Sequence, residues 1–303
     1  MNVKNLAIIV FNRPELTEKV MLEIKKAKPE NFFIIADGPR SKNKKDEELC
    51  KETLKKVLKN INWACNVYKN VSEKNLGCKK RVVSGLNWVF SKVEDCVILE
   101  DDTIPSQSFF SYCSELLEKY RNNNSIGLIS GDNFLFNKVK VKESYYFSKY
   151  CHIWGWATWK RVWSKYDADV TFWPSFKENN LLNQILDNNN EIIKCKKNFQ
   201  DVFDEKIDTW DYQLTLMFWK EKLLSIMPNK NLVSNIGFGL DATHTKSINY
   251  MSNMKHFDIE FPLAHPTNID INIEADNFKS LLFNKQTGIR EKITSSLSRI
   301  INF

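Results

Sequence analysis

Three consecutive carboxylates, Glu100, Asp101 and Asp102, directly follow an apolar run at residues 96–99. An uninterrupted run of this kind predicts a strand that is buried on both faces, with the acids at its carboxyl end. Adjacent carboxylates repel one another unless a cation or hydrogen-bond donors compensate their charge. Because Mg²⁺ and Mn²⁺ prefer oxygen ligands and leave positions open for phosphate oxygens, the cluster predicts a site for one of these cations.

The elements that would position this cluster alternate along the first 130 residues. The hydrophobic pattern predicts strands at 6–10, 32–36, 65–69, 96–99 and 127–130, and helices at 15–26, 46–60, 79–90 and 108–120. This alternation indicates an α/β fold with a mainly parallel sheet flanked by helices. Ligands of such sheets bind at the carboxyl ends of the strands, where the sequence places polar loops at 12–13, 37–38, 75–77 and 100–102.

Composition and charge narrow the function classes. The chain has 303 residues, of which 43% are hydrophobic, so it can bury a sizeable core. Its net charge of +7 is spread along the sequence without a basic stripe, which argues against a nucleic acid partner. Seven cysteines without a CxxC pair predict reduced thiols and a cytoplasmic protein. No apolar run reaches the ~20 residues of a membrane span, and the run at 6–11 is too short for a signal peptide.

The two commonest phosphate-binding loops are missing from the sequence. The first strand is followed by no G-x-G-x-x-G pattern, and no G-x-x-x-x-G-K-[ST] pattern occurs anywhere. With 9 glycines in the whole chain, a backbone cradle for a diphosphate is not expected. A metal ion aided by Arg or Lys side chains is the alternative way to bind such a group.

Several segments carry a resemblance to a known family. FNRPELT at 11–17, IIADGPR at 34–40, EKNLGCKKRV at 73–82 and ILEDD at 98–102 resemble the nucleotide-sugar-binding half of the GT-A glycosyltransferases, in which EDD is a DXD-type metal motif. The segments HIWGWATWKRVW at 152–163 and DTWDYQL at 208–214 resemble the acceptor side and the base motif of one branch of that family. This branch resembles N-acetylglucosaminyltransferase I and the bacterial family-2-like transferases.

The resemblance implies a domain organisation. Residues 1–245 would form a Rossmann-like GT-A catalytic domain, with a nucleotide-sugar half at about 1–130 and an acceptor half at about 131–245. Residues 246–303 would form a helical C-terminal tail. The stretch 174–207, which is rich in Asn and Lys, is interpreted as an insertion or a mobile lid.

The resemblance also implies roles for the donor-side residues. Asp102 would coordinate Mn²⁺ or Mg²⁺ together with the diphosphate, Asp101 would face the ribose or the metal's water shell, and Glu100 would lie near the donor sugar. Arg13 and Asp37 match positions that hold the nucleotide.

Either Lys80 or Arg81, at the start of the helix after Gly77, could contact the diphosphate. The sequence does not decide between these two side chains.

On the acceptor side, the resemblance makes Asp211 the general base that takes the proton from the acceptor hydroxyl. One base without a nearby nucleophile implies inversion at the anomeric carbon. Trp156 and Trp210 could stack on sugar faces and exclude water, and His244 could reach the metal or the diphosphate.

Each of these roles has an alternative. Asp211 could instead be a stabilising acid in the first turn of a helix, with Asp132 and Asp241 as rival bases. The tryptophans at 154, 156, 159 and 163 have spacings that would pack one face of a helix, and His152 could be a core or capping residue.

The last residues have a different pattern. At 279–303, apolar residues recur at helical spacing beside Lys and Arg. Such a helix could lie on the inner face of the plasma membrane as a peripheral contact, or it could pack on the body of the protein or form a dimer contact.

We therefore expect a metal-dependent, inverting hexosyltransferase that moves a sugar from a nucleotide-sugar donor, a UDP-sugar, to a hydroxyl of a bacterial surface glycan. The acceptor would be an oligosaccharide or a lipid-linked glycan of capsule or lipopolysaccharide biosynthesis. Two alternatives stay open: a sugar-phosphate nucleotidyltransferase, and a non-catalytic glycan-binding or effector protein that retains the fold.

Overall fold

A computed structural model describes residues 3–238 and 252–284 of the chain. Its strands are β1 Asn5–Val10, β2 Asn31–Ala36, β3 Asn66–Val71, β4 Asp95–Glu100, β5 Thr103–Pro105, β6 Ile126–Ser130, β7 Tyr145–Ser148, β8 Trp156–Trp159, β9 Leu224–Pro228 and β10 Val233–Asn235. Its helices are α1 Pro14–Ala27, α2 Lys44–Asn60, α3 Cys78–Phe90, α4 Gln107–Lys119, α5 Lys160–Trp163, α6 Trp173–Glu178, α7 Leu182–Ile185, α8 Asn189–Phe203, α9 Asp211–Glu221 and α10 Ile273–Asn284.

The large sheet confirms the predicted α/β fold. Its strand order is β3-β2-β1-β4-β8-β6-β9-β7, and β3, β2, β1 and β4 are parallel neighbours. Strands β1 and β4 are buried almost throughout, because helices cover both faces of a parallel sheet. The elements predicted before residue 131 agree with the observed ones to within two residues at each end.

Strand β8 differs from the expectation. The tryptophan spacing at 154–163 suggests one helical face, but Trp156–Trp159 is a strand and only Lys160–Trp163 is helical. Strand β8 lies between β4 and β6 and is antiparallel to both. The sheet is therefore mixed on this side, although β4 and β6 still point the same way.

The carboxyl ends of β1, β2, β4 and β6 lie on one edge of the sheet, which we call the carboxyl edge. The residues that follow these strands are Phe11–Arg13, Asp37, Asp101 and Asp132. A second, two-stranded sheet pairs β10 with β5, directly after the acidic cluster. Its register brings Ile236 to Asp102, whose carbonyl oxygen accepts a hydrogen bond of 2.8 Å from the Ile236 amide.

Residues 174–207, interpreted from the sequence as an insertion or a mobile lid, are mostly helical. Helices α6, α7 and α8 occupy most of this stretch and pack around a buried apolar cluster of their own. Trp173, Phe199 and Val202 are each at most 3% exposed. Asn188 caps α8 by accepting hydrogen bonds from the amides of Asn190 and Glu191, so even this Asn-rich start of a helix is locally stabilised.

The predicted tail is only partly described. Helix α10 packs against α8 and β7, and Ser148 Oγ donates a hydrogen bond of 2.5 Å to Asp276. Residues 285–303, which hold most of the predicted amphipathic helix, lie outside the described residues. Among the helices described, none combines the length and apolar character that a bilayer crossing requires.

Candidate active site

Arg13 is the cation that faces the acidic cluster in the described part of the chain. It stands between β1 and α1 and forms ion pairs with Asp101 and Asp102, the latter over 2.9 Å from Nη1 to Oδ2. The amide of Phe11 also donates to Asp101 over 3.3 Å. Burial opposes the charge of Arg13, but the carboxylates of Asp101 and Asp102 outweigh it and raise its pKa.

The remaining negative charge of the cluster is poorly compensated. Burial raises the pKa of Glu100, and the charges of Asp102, Asp101 and Asp211 add to this effect. Burial also raises the pKa of Asp101, with the charge of Arg13 acting against it. One guanidinium thus offsets several carboxylates at the end of β4.

Asp37 is in a different situation at the end of β2. Its side chain accepts hydrogen bonds from the amides of Gly38 and Leu76, both over 2.9 Å, and from Asn75 Nδ2 over 2.9 Å. A longer bond of 3.3 Å comes from the Gly77 amide. Burial raises the pKa of Asp37, and these backbone amides act in the opposite direction. The structure gives Asp37 a bracing role for the loop between β3 and α3, and a contact with a nucleotide base would have to replace one of these bonds.

The start of α3 is already occupied by a carboxylate. Asp208 accepts hydrogen bonds of 3.0 Å from the amides of Cys78 and Lys79, where the helix dipole favours a negative charge. Gly77 precedes them with φ +82°, and a Cβ on this residue would lie 2.7 Å from Asp208 Oδ2. A phosphate at this helix end would therefore have to displace Asp208.

The structure does not single out Lys80 or Arg81, the two basic residues predicted at this helix end, as a diphosphate ligand. Arg81 is buried and donates a hydrogen bond of 2.9 Å to Asn70 Oδ1, while Lys80 is exposed. Burial lowers the pKa of Arg81, and the charge of Asp37 acts against this. Arg81 thus contributes to the internal packing of the β3–α3 region.

Asp211 is the first residue of α9, and its position agrees with both interpretations of the sequence. As a first-turn acid it is stabilised by the helix dipole, and Thr209 Oγ1 donates a hydrogen bond to it. At the same time its charge acts on Glu100. Burial raises the pKa of the Cys78 thiol, and the charges of Glu100, Asp208, Asp211 and Asp37 raise it further. The structure thus brings these acids to one region.

Trp156 and Trp210 are packed against each other rather than open to a ligand. They are 1% and 3% exposed, and their rings stack with centroids 5.6 Å apart at 23°. The backbone oxygen of Trp210 accepts a hydrogen bond of 2.9 Å from Tyr166. The expectation that these rings stack on sugar faces is therefore corrected, because neither offers an open face; we assign both to the packing beneath Asp211.

Sequence reasoning misses one polar pair on the carboxyl edge. Asp132 follows β6, is 1% exposed, and lies 2.7 Å from His152 Nδ1, while it also accepts a hydrogen bond of 3.2 Å from the Trp154 amide. The acid itself can be found from its place after an apolar strand. Its pairing with His152 cannot, because it depends on β8 lying beside β6.

The carboxylate oxygens at the end of β4 are the type of ligand that a hard divalent cation prefers. Asp102 Oδ1 is buried and accepts no hydrogen bond from any described residue. However, the described residues contain no group of three or more His, Cys, Asp or Glu side chains arranged to hold a metal ion. A cation here would thus need further ligands from solvent or from a bound ligand, as Mg²⁺ commonly does. His244, the other predicted metal ligand, lies outside the described residues.

Comparisons with known proteins do not assign the chain to a family. No family model matches it, and no curated protein matches it. Solved structures with some likeness are UDP-glucose pyrophosphorylase in complex with UDP-glucose, the inositol-1-phosphate CTP transferase from T. maritima, and HddC from Yersinia pseudotuberculosis.

These likenesses are weak. Sequence identities are 12%, 13% and 9%, and TM-scores are 0.34, 0.31 and 0.33. Each alignment covers 54% of this chain, and 79%, 74% and 80% of the respective neighbour. Likenesses at such TM-scores do not define the function of this chain.

Proposed function

We propose that this protein is a metal-dependent, inverting glycosyltransferase of the GT-A type, which moves a sugar from a UDP-sugar to a hydroxyl of a bacterial surface glycan. The observation that carries the proposal is the grouping of acids at the carboxyl edge. Glu100, Asp101 and Asp102 stand at the end of β4, and the charge of Asp211, at the start of α9, acts on Glu100. A cation-binding cluster next to a separate carboxylate is what sugar transfer from a diphosphate requires.

On the donor side, the chain has to hold a diphosphate that becomes more negative as it leaves. Asp102 would hold a Mn²⁺ or Mg²⁺ ion, with Asp101 facing the ribose or the metal's water shell and Glu100 near the donor sugar. The ion would supply positive charge against the leaving group when bound. Arg13 adds a guanidinium, which suits phosphate as well as carboxylate oxygens. The absence of glycine in the loop 11–13 after β1 agrees with this side-chain mode of phosphate binding.

On the acceptor side, Asp211 would accept the proton of the attacking hydroxyl. Its place in the first turn of α9 suits a negatively charged carboxylate, which a base requires. Trp156 and Trp210 form a rigid, buried support below the α9 start. Attack from the Asp211 side, with the diphosphate leaving on the opposite face, inverts the anomeric carbon.

The first test is calorimetric binding of UDP and GDP, with and without Mn²⁺. We expect Mn²⁺-dependent binding of UDP that is lost in Asp102→Ala and kept in Asp95→Ala. The control carboxylate lies at the amino end of the same strand and bonds to Asn5, far from the carboxyl edge. UDP binding that depends neither on Mn²⁺ nor on Asp102 would contradict the proposal and favour the non-catalytic alternative.

The nucleotidyltransferase alternative is distinguished by its products. A protein of that class releases pyrophosphate from UTP and a sugar 1-phosphate, whereas a glycosyltransferase releases UDP from a UDP-sugar. We expect UDP release alone, because the loop after β1 contains no glycine and α1 starts directly at Pro14. The acceptor class, the cytoplasmic location and the membrane contact through residues 279–303 stay predictions that this test does not address.

A further inference from the structure

Arg13 occupies the carboxylates that the proposed function assigns to a cation. One of its nitrogens contacts Asp101 and the other lies 2.9 Å from Asp102 Oδ2. The exposed fractions of the three side chains are 20% for Arg13, 3% for Asp101 and 11% for Asp102. The ion pairs are therefore largely shielded from water. Ion pairs that are shielded in this way are stronger than ion pairs on an open surface.

The surroundings of Asp102 leave little freedom for a second positive charge. Gly237 approaches so closely that a Cβ there would collide with Oδ2, which Arg13 also contacts. The other oxygen, Oδ1, is buried and accepts no hydrogen bond within the described residues. A divalent cation bound to Asp102 would lie close to the guanidinium, and the two positive charges would repel each other at short range.

The backbone of Arg13 is held by hydrogen bonds, so only its side chain can move away from Asp101 and Asp102. The Arg13 carbonyl oxygen accepts hydrogen bonds from Thr17, over 3.0 Å from the amide and 2.8 Å from Oγ1. A guanidinium released from the carboxylates can make the same two-pronged contact with a diphosphate, because both ligands present paired oxygens.

We propose that Arg13 acts as a coupling residue, which holds Asp101 and Asp102 in the free protein and transfers to the diphosphate when a divalent cation takes the carboxylates. Cation and nucleoside diphosphate then each bind weakly alone and strongly together. This inference rests on the proposed function, and it adds a reason for the two ligands to depend on each other. By linkage, the factor by which UDP strengthens Mn²⁺ binding equals the factor by which Mn²⁺ strengthens UDP binding.

The test measures Mn²⁺ binding by electron paramagnetic resonance, with and without UDP. For the wild type we expect weak binding of Mn²⁺ alone and at least about tenfold tighter binding with saturating UDP. Arg13→Gln should bind Mn²⁺ alone about tenfold more tightly than the wild type, because the competing charge is gone, and UDP should strengthen its Mn²⁺ binding by a smaller factor than in the wild type. Arg13→Lys, which keeps the charge but not the fork, should fall between them.

The matched control is Arg121→Gln, which removes an exposed ion pair with Glu118 and should leave both values unchanged. The inference is overturned if Arg13→Gln and Arg13→Lys bind Mn²⁺ alone no better than the wild type while UDP still strengthens binding. It is also overturned if UDP strengthens Mn²⁺ binding to the wild type by less than about threefold, a value that needs no variant. Absence of Mn²⁺ binding to the wild type even with UDP would instead contradict the proposed metal-dependent function itself, and this inference with it.

Discussion

Two buried acids at the carboxyl ends of β2 and β4, the strands on either side of β1, have opposite surroundings. Asp37, after β2, accepts hydrogen bonds from the amides of Gly38 and Leu76 and from the side chain of Asn75. Asp102, after β4, contacts Arg13 through one oxygen and leaves the other without a hydrogen bond from any described residue. A buried acid that the chain satisfies belongs to the scaffold, whereas a buried acid left partly unsatisfied is prepared for a ligand.

The largest expected effect concerns the satisfied acid. Asp37→Ala leaves the amides of Leu76 and Gly77 without their acceptor and removes one of the two acceptors of the Asn75 side chain, which also donates to the Gly38 carbonyl oxygen. We expect the free energy of unfolding, measured by urea denaturation, to fall by about 2–4 kcal/mol. A loss below about 1 kcal/mol would show that the donors of the loop between β3 and α3 form other hydrogen bonds. It would contradict the contrast between Asp37 and Asp102.

A smaller effect is expected for the acid that caps α3. Asp208→Ala removes a charge-assisted acceptor from the amides of Cys78 and Lys79, and should cost about 1–2 kcal/mol of unfolding free energy. Asp208→Asn, which keeps one acceptor oxygen, should cost about half as much. Equal losses in both variants would mean that the charge, rather than the cap, carries the effect.

The unsatisfied acid should matter least for stability. Asp102→Asn loses the ion pair with Arg13 but relieves repulsion with Glu100 and Asp101, so the unfolding free energy should change by less than about 1 kcal/mol. Mn²⁺-dependent UDP binding should nevertheless be lost. A stability loss as large as that of Asp37→Ala would make Asp102 a scaffold residue.

The smallest effect is expected for Lys80. Its side chain is exposed, and Asp208 already occupies the helix end beside it. Lys80→Ala should change the UDP dissociation constant by less than about threefold, a difference below about 1 kcal/mol. A tenfold weakening would restore the diphosphate contact that the sequence suggests for Lys80 or Arg81.

The sequence is informative where local pattern decides structure. Strands such as β1 and β4 are buried on both faces, so their apolar runs mark them directly, and polar loops after them mark the carboxyl edge. Acids 100–102 can therefore be located from the amino-acid pattern alone. Arg13 can also be found in this way, but its pairing with Asp101 and Asp102 cannot, because it depends on the close packing of β1 against β4.

Other features depend on contacts that no local pattern reveals. The Asp208 cap joins residues separated by 130 positions in the chain, and nothing near Asp208 indicates its partner. Strand β8 resembles part of a helix because its tryptophans suit either periodicity, and only its neighbours in the sheet decide. The same holds for 174–207, whose polar composition conceals the buried positions Phe199 and Val202.

The placement of β8 has a consequence for how the chain folds. The strand comes from residues 156–159, after the predicted nucleotide-sugar half, yet it fills the gap between β4 and β6, which both belong to that half. Residues 1–130 alone would therefore leave one edge of β4 unpaired and β6 without either of its neighbours, β8 and β9. The central sheet is therefore complete only when β7, β8 and β9, which come from the second predicted half, have joined it.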